Sequence, residues 1–286
     1  MTTTADHTEP SVITGRLLEG KCALIMGVAD RHSIAWGIAE AMHAQGARLA
    51  FTYQEEPKGR IERNVRGLVG TLGAVDEAPL FPCDVRDDGS IQRIVDSLGS
   101  SWKQLDAVIH CIAYADRDDL NRPFSEISRD GYKVAMEISA YSLSAVARAA
   151  APLMRQNGGG SIITLTYNAV EKAIPGYSAM AAAKAALELG VRYLAVEFGP
   201  DKIRVNTISA GPVRTLSASA VKGISALRKW TEDASPLREN ISALDVGHTA
   251  VYLTSDLSRL VTGNIIFVDS GTHVLGAQGA AAMDAG

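Results

Sequence analysis

The sequence predicts a single α/β domain built as a doubly wound parallel sheet of about seven strands with helices on both faces. Three observations lead there. Short apolar runs alternate seven times with segments of helical periodicity, a pattern that requires parallel strands joined by right-handed crossovers. The composition of 26 glycines and only 6% aromatic residues suits tight strand-to-helix turns with alanine between helix and sheet. A chain of 286 residues, 47% hydrophobic and 21% charged, can bury one sizeable core. The domain is expected over 16–276, between a Thr-rich polar tail (1–15) and a Gly/Ala-rich tail (277–286).

The first strand is read over Lys21–Gly27, followed by a helix over Ser33–His43 with Ser33 as N-cap. A strand at Arg48–Tyr53 and a helix at Lys58–Leu68 come next, then a strand at Ala78–Phe81, a helix at Ser90–Leu98 and a strand at Leu105–Ile112. A long helix is predicted from about Asp130 to Met154, then a strand at Ser161–Leu165 and a helix from about Ser178 to Phe198. A strand at Ile203–Ser209, a helix near Val246–Leu253 and a last strand at Ile265–Val268 complete the pattern. Ligands of such a sheet sit beyond the carboxyl ends of its strands.

Charge and cysteine usage exclude several classes. A net charge of −4 offers no basic field for nucleic acid or an anionic membrane. The three cysteines, Cys22, Cys83 and Cys111, lack metal-ligand spacing and read as reduced packing residues of a cytoplasmic protein. No apolar run reaches the roughly 18 residues of a membrane span.

The turn after the first strand, Gly27-Val-Ala-Asp-Arg-His-Ser33-Ile34-Ala-Trp-Gly37, occupies the place where a dinucleotide pyrophosphate meets a helix N-terminus. It is not Gly-x-Gly-x-x-Gly. Gly27 can make the sharp strand exit, the Ser33 hydroxyl and nearby N–H groups can reach phosphate oxygens, and Gly37 can bring the helix close to the sheet. After the second strand, Gln54-Glu55-Glu56 places acidic groups where an adenosine ribose would lie. Carboxylates there repel a 2′-phosphate and favour NADH over NADPH. The alternative for Glu55 and Glu56 is that they only begin a solvated helix.

Tyr177 and Lys184 lie seven positions apart in Tyr177-Ser-Ala-Met-Ala-Ala-Ala-Lys184, and Tyr167 precedes Tyr177 by ten. Seven helical steps make roughly 700°, close to two turns, so both side chains are expected on one helix face. A phenol can donate to developing negative charge on oxygen while a cation holds a sugar hydroxyl. An alanine-rich helix can also carry such a pair at its surface without function.

Taken together, Gly27-x5-Ser33-Ile-Ala-x-Gly37, Phe51-Thr-Tyr-Gln54, Cys83-Asp84-Val85, His110-x-Ile112-Ala-x-Ala115, Ile138-Ser-Ala-Tyr-Ser142, Tyr167-x9-Tyr177-x6-Lys184 and Ser209-Ala-Gly-Pro-Val213-Arg-Thr-Leu216 resemble the enoyl-acyl-carrier-protein reductases of bacterial-type fatty acid synthesis. These form an atypical branch of the short-chain dehydrogenase/reductases, and the resemblance runs from about Gly20 to Gly271. An ordinary short-chain dehydrogenase has its Tyr four residues before the Lys. That position here is Met180, which cannot donate a proton.

The resemblance implies a Rossmann-type fold binding NADH. Gly27, Ser33 and Ile34 would hold the pyrophosphate, Gln54 the adenosine side, and Asp84 with Val85 the adenine. Ile112 would touch the cofactor near the nicotinamide, and Val213, Arg214, Thr215, Leu216 and Ser217 would close over nicotinamide and phosphate. Lys184 would bind the nicotinamide ribose, Tyr177 would donate to the thioester carbonyl, Tyr167 would line the acyl channel, and Ala115 would border the substrate. The implied partner is an enoyl thioester on acyl carrier protein, and the implied assembly a homotetramer through the Ala-rich helices 130–154 and 178–198. The chain departs from the family pattern at Trp36, at Asn168-Ala169 and at Gly176.

Three further readings concern surroundings. Thr215–Trp230 is a candidate lid, and its Lys222, Arg228 and Lys229 are either a docking patch for an acidic carrier protein or an ordinary solvated helix face. His110, in an apolar strand, reads as packed rather than catalytic. Two alternatives to the main reading stand beside it. One is a carbonyl or other enoyl reductase outside fatty acid synthesis, the other a non-catalytic dinucleotide-binding protein.

Overall fold

The computed structural model describes residues 11–73, 78–174, 176–215 and 223–276. Seven parallel strands form one sheet in the order β3-β2-β1-β4-β5-β6-β7. They are β1 (Cys22–Met26), β2 (Arg48–Tyr53), β3 (Leu80–Pro82), β4 (Ala107–His110), β5 (Gly160–Thr166), β6 (Ile203–Ala210) and β7 (Ile265–Val268). Strand order reverses between β1 and β4, which opens a crevice at their carboxyl ends.

Nine α-helices are described: α1 (Ile34–Ala44), α2 (Arg60–Thr71), α3 (Asp88–Ser101), α4 (Arg117–Asn121), α5 (Arg129–Met136), α6 (Ser142–Gln156), α7 (Ser178–Phe198), α8 (Ile224–Ala234) and α9 (Ala243–Thr254). Strand β1 shows why the sheet is covered twice. All five of its residues are buried. Cys22, Leu24 and Met26 join a core with residues of α3, α6 and α7, whereas Ala23 and Ile25 join one with residues of α1, α2 and α9. Alternating side chains of an interior parallel strand feed two apolar layers, so the strand reads as a continuous apolar run.

The predicted helix 130–154 is interrupted. Between α5 and α6 the chain forms a π-helical turn, Glu137–Tyr141. Two serines explain it. Ser142 Oγ donates to the Ile138 carbonyl at 2.6 Å, and Ser139 Oγ is bonded outside the helix to the backbone of Tyr114. Hydroxyls that compete for backbone partners widen a helix locally.

Gly37 also works differently from the expectation. A Cβ there would lie 2.5 Å from the Ala243 carbonyl carbon, so Gly37 admits α9 rather than the sheet. Gly247 reciprocates, with its own Cβ position 2.5 Å from the Gly37 carbonyl oxygen. At the amino end, part of the expected tail is tied down. Gln45 donates to the Ile13 carbonyl at 2.8 Å, and the Gly15 amide donates to Ala44 at 3.0 Å. Residues 1–10 and 277–286 lie outside the described residues.

Candidate active site

Many of the predicted site residues follow the carboxyl end of a strand. Gly27 follows β1, Gln54 β2, Cys83 and Asp84 β3, Ile112 and Ala115 β4, Tyr167 β5, and Val213 to Thr215 β6. Leu216 and Ser217 lie outside the described residues.

At the first corner Gly27 has φ +95°, and a Cβ there would come within 2.1 Å of the Cys111 carbonyl oxygen. Both facts demand glycine. Ser33 is the N-cap residue of α1, yet its hydroxyl does not cap the helix. It accepts from the amides of Ala29 and Asp30, at 3.1 Å each, and so tightens the loop. Among the described residues the first-turn amides of Ile34 and Ala35 meet no acceptor in the chain, the arrangement an oxyanion uses. The corner therefore fits a pyrophosphate, with Ser33 acting mainly on loop shape.

Gln54, Glu55, Asp84 and Ser90 line a cleft of about 930 Å³ at the ends of β2 and β3, large enough for a nucleoside. Asp84 is gripped by Arg86 through two hydrogen bonds, of 3.0 and 2.7 Å, which hold its carboxyl below the usual range. Val85 is buried in the core beside this cleft. Glu56 accepts from the amides of Lys58, Arg60 and Ile61 and is committed to the start of α2. That leaves exposed Glu55 as the carboxylate facing the cleft without such a task.

Tyr177 does not stand on the helix, as spacing had implied. It is the residue flanking the start of α7, and its carbonyl accepts the Ala181 amide at 2.8 Å. Gly176 just before it has φ +79°. The left-handed region suits glycine, which accounts for the residue at this position. The Tyr177 ring meets Tyr167 edge-on, with centroids 5.2 Å apart and planes at 77°. Burial raises the Tyr177 phenol well above its ordinary range and pushes Tyr167 up to about 12, with the Asp269 carboxylate adding to the effect on Tyr167. Both are proton donors at neutral pH.

Lys184 is 5% exposed and donates to the Leu165 carbonyl at 2.8 Å. Burial pulls it down to about 8. Met180, at the position of the ordinary catalytic Tyr, is buried in α7. Ala115 is half-buried in the loop after β4. That loop is held by Ser139 of the π turn, whose hydroxyl accepts the Tyr114 amide at 2.8 Å and donates to its carbonyl at 2.9 Å. Sequence reading missed this role, although Ser139 lay inside a quoted motif.

His110 is fully buried between Thr164 and Ser142, at 3.0 and 2.8 Å, and burial holds it down to about 3. It is a neutral packing residue. Trp36 is buried as well, tilted against Phe51 with centroids 6.3 Å apart, and fills core beneath α1 rather than the site. Asn168 turns the chain after Tyr167, its carbonyl accepting from Glu171 and Lys172. Of the candidate docking cations, Arg228 donates to the Pro212 carbonyl at 2.8 Å and Lys229 pairs with Asp233 at 2.7 Å. Lys222 lies outside the described residues.

Comparison with known proteins agrees with this geometry. The family model described as Enoyl-(Acyl carrier protein) reductase matches residues 27–273. An enoyl-[acyl-carrier-protein] reductase [NADH] of Nostoc sp. is 47% identical over 259 residues, covering 91% of this chain and 98% of its own. A solved Bacillus cereus enoyl-acyl carrier protein reductase with NADP+ and indole naphthyridinone superposes with a TM-score of 0.87 at 48% identity, covering 91% of this chain and 99% of that one. The Anaplasma phagocytophilum enzyme in complex with NAD gives 0.86 at 44% identity, covering 93% and 98%. The family model spans residues 27–273 and the relatives match over about nine-tenths of the chain, so the chain belongs to the enoyl-acyl-carrier-protein reductase family.

Proposed function

We propose that the chain reduces the carbon–carbon double bond of trans-2-enoyl thioesters on acyl carrier protein, using NADH, in type II fatty acid synthesis. The observation that carries the reading is the pairing of Tyr177 with Tyr167 beside Lys184, with Met180 buried where an ordinary carbonyl reductase keeps its phenol.

The cofactor would lie across the crevice at β1 and β4. Gly27, Ser33 and Ile34 would face its pyrophosphate, Gln54 and Asp84 the adenosine end with Val85 beneath, Lys184 a ribose, and Ile112 with Val213 to Ser217 the nicotinamide. When bound, NADH would supply the hydride that reduces the β-carbon of the enoyl thioester. Electrons then move onto the carbonyl oxygen, where Tyr177, kept protonated by burial, donates a hydrogen bond. One such donor is worth on the order of 3 kcal/mol in the barrier. The Lys184 cation orients the ribose and favours negative charge close by. Tyr167 holds the Tyr177 ring and lines the acyl channel, which Ala115 borders. Protonation at the α-carbon completes the saturated thioester.

A homotetramer is part of the proposal. It is supported by exposed Leu189, Tyr193 and Val196 on α7, and by a groove of about 570 Å³ beside them that includes Met136, Tyr141, Ala186 and Gly190. A cytoplasmic location is supported by the three unpaired cysteines.

The test is loss of NADH absorbance on mixing the purified chain with crotonyl thioester or with a simple ketone. Consumption with the thioester alone is expected. Consumption with the ketone alone would replace this reading by a carbonyl reductase, and none with either would leave a binding protein.

A further inference from the structure

The mechanism above makes no use of Glu188, although this carboxylate is 6% exposed and lies one turn along α7 from Lys184. Burying a carboxylate is costly unless it is hydrogen-bonded and faced by positive charge. Here Thr166 donates its hydroxyl to Glu188 Oε1 at 2.6 Å. The neighbouring strand residue, Leu165, gives its carbonyl to Lys184, and the next residue, Tyr167, meets Tyr177. Three consecutive residues at the end of β5 are thus each engaged by α7 or the residue that starts it.

We infer that Glu188 is a positioning residue of the site, which anchors the end of β5 behind Tyr167 and sets a compensating negative charge one helical turn from Lys184. The inference rests on the reading of Lys184 as the ribose-binding cation.

The surroundings single out this carboxylate. From β4 and its end, His110 and Cys111 face Lys184, but His110 is held down to about 3 and the Cys111 thiol is pushed up to about 12, so both are neutral at pH 7. Strand β5 presents the Leu165 carbonyl, and among the described residues no charge from α4, α5, α6 or β6 acts on the amine. Glu188 itself faces Arg192 and Lys184 on its own helix and Glu171 from the turn after β5. Burial and Glu171 raise its carboxyl, while the Thr166 hydroxyl, Arg192 and Lys184 favour its charged form. Lysine, glutamate and arginine at successive i,i+4 positions make an alternating series along α7, buried at Lys184 and Glu188 and exposed at Arg192.

Two variants separate charge from anchoring. Glu188→Gln keeps an acceptor for Thr166 and removes the charge, and Thr166→Val keeps the charge and removes the donor. The titration of Lys184, followed by NMR of ε-13C-labelled lysine and assigned with Lys184→Arg, is expected to fall by about one pH unit in Glu188→Gln. NADH affinity, measured by fluorescence without thioester, should weaken several-fold at pH 8. Thr166→Val should move the Lys184 midpoint less than Glu188→Gln does and raise KM for crotonyl thioester by about threefold or more, the size expected for one lost hydrogen bond. An unshifted Lys184 midpoint in Glu188→Gln overturns the inference, even if turnover falls, because a merely structural role would give that result. An unchanged KM in Thr166→Val overturns the anchoring half. The Lys184 midpoint and the NADH affinity come from the protein whether or not it reduces thioesters, so failure of the enzymatic reading shows itself separately, as wild-type protein that does not oxidise NADH.

Discussion

The Ser139 hydroxyl serves the Tyr114 backbone twice, accepting its amide at 2.8 Å and donating to its carbonyl at 2.9 Å. One side chain thus substitutes for a strand partner in the loop that carries Ala115. The π turn is what carries Ser139, and Ser139 is fully buried. Ser139→Ala would leave two backbone groups without partners. We expect a loss of about 1–3 kcal/mol in urea unfolding, together with a raised KM for enoyl thioester and little change in NADH affinity. Unchanged stability and KM would remove Ser139 from this role.

Replacing Tyr177 by Phe deletes one donor and keeps the ring against Tyr167. Turnover should fall by roughly 10²–10³ while NADH affinity, read by fluorescence, stays within about twofold. A normal rate would assign the donor elsewhere.

The pH profile follows from Lys184. Its pKa is pulled down to about 8 from the ordinary lysine value, so the cation is lost as pH rises through about 8. Tyr177 and Tyr167 are shifted upward and stay protonated there. The profile of kcat/KM for NADH should be level near pH 7 and decline above about 8, since that ratio reports the free enzyme. The linkage to stability has the opposite sense. Between about 8 and the ordinary lysine range the unfolded chain binds more protons than the folded one, so Lys184 contributes increasing stability with pH across that window. Kinetics and unfolding measured over the same pH range should therefore diverge.

Gly247→Ala would place a methyl 2.5 Å from the Gly37 carbonyl oxygen, where neither helix backbone can yield cheaply. A loss of about 1–3 kcal/mol is expected from overpacking, and NADH should bind more weakly because α1 carries the phosphate corner at its start. Thermal melting with and without NADH measures both.

Glu55 faces the nucleoside cleft, whereas Glu56 is occupied by the amides of α2. Glu55→Lys should narrow the preference for NADH over NADPH by tenfold or so, the equivalent of about 1.4 kcal/mol. Glu56→Gln should instead cost stability with little effect on that ratio. Competition between the two cofactors in the steady state distinguishes these outcomes.

Much of the fold was legible because periodicity is a local property. Short apolar runs marked all seven strands, and α7 and β7 fell on the predicted bounds. What escaped depends on distant partners. The break at Glu137–Tyr141 answers to Tyr114, about 25 residues away, and no helical period announces such a bond. Gly37 was read against the sheet because its true neighbour, α9, lies some 200 residues further along. The candidate site residues were named from motif spacing. Their electrostatics were not, since the buried state of Lys184, Glu188 and His110 is set by strands β4 and β5 and helices α6 and α7, which meet only in the folded chain.

The left-handed turn at Gly176 has an evolutionary corollary. The direction in which the chain enters the next helix fixes where the phenol of residue 177 aims, and very few amino acids tolerate that backbone shape. Drift at position 176 is therefore confined to a narrow alphabet.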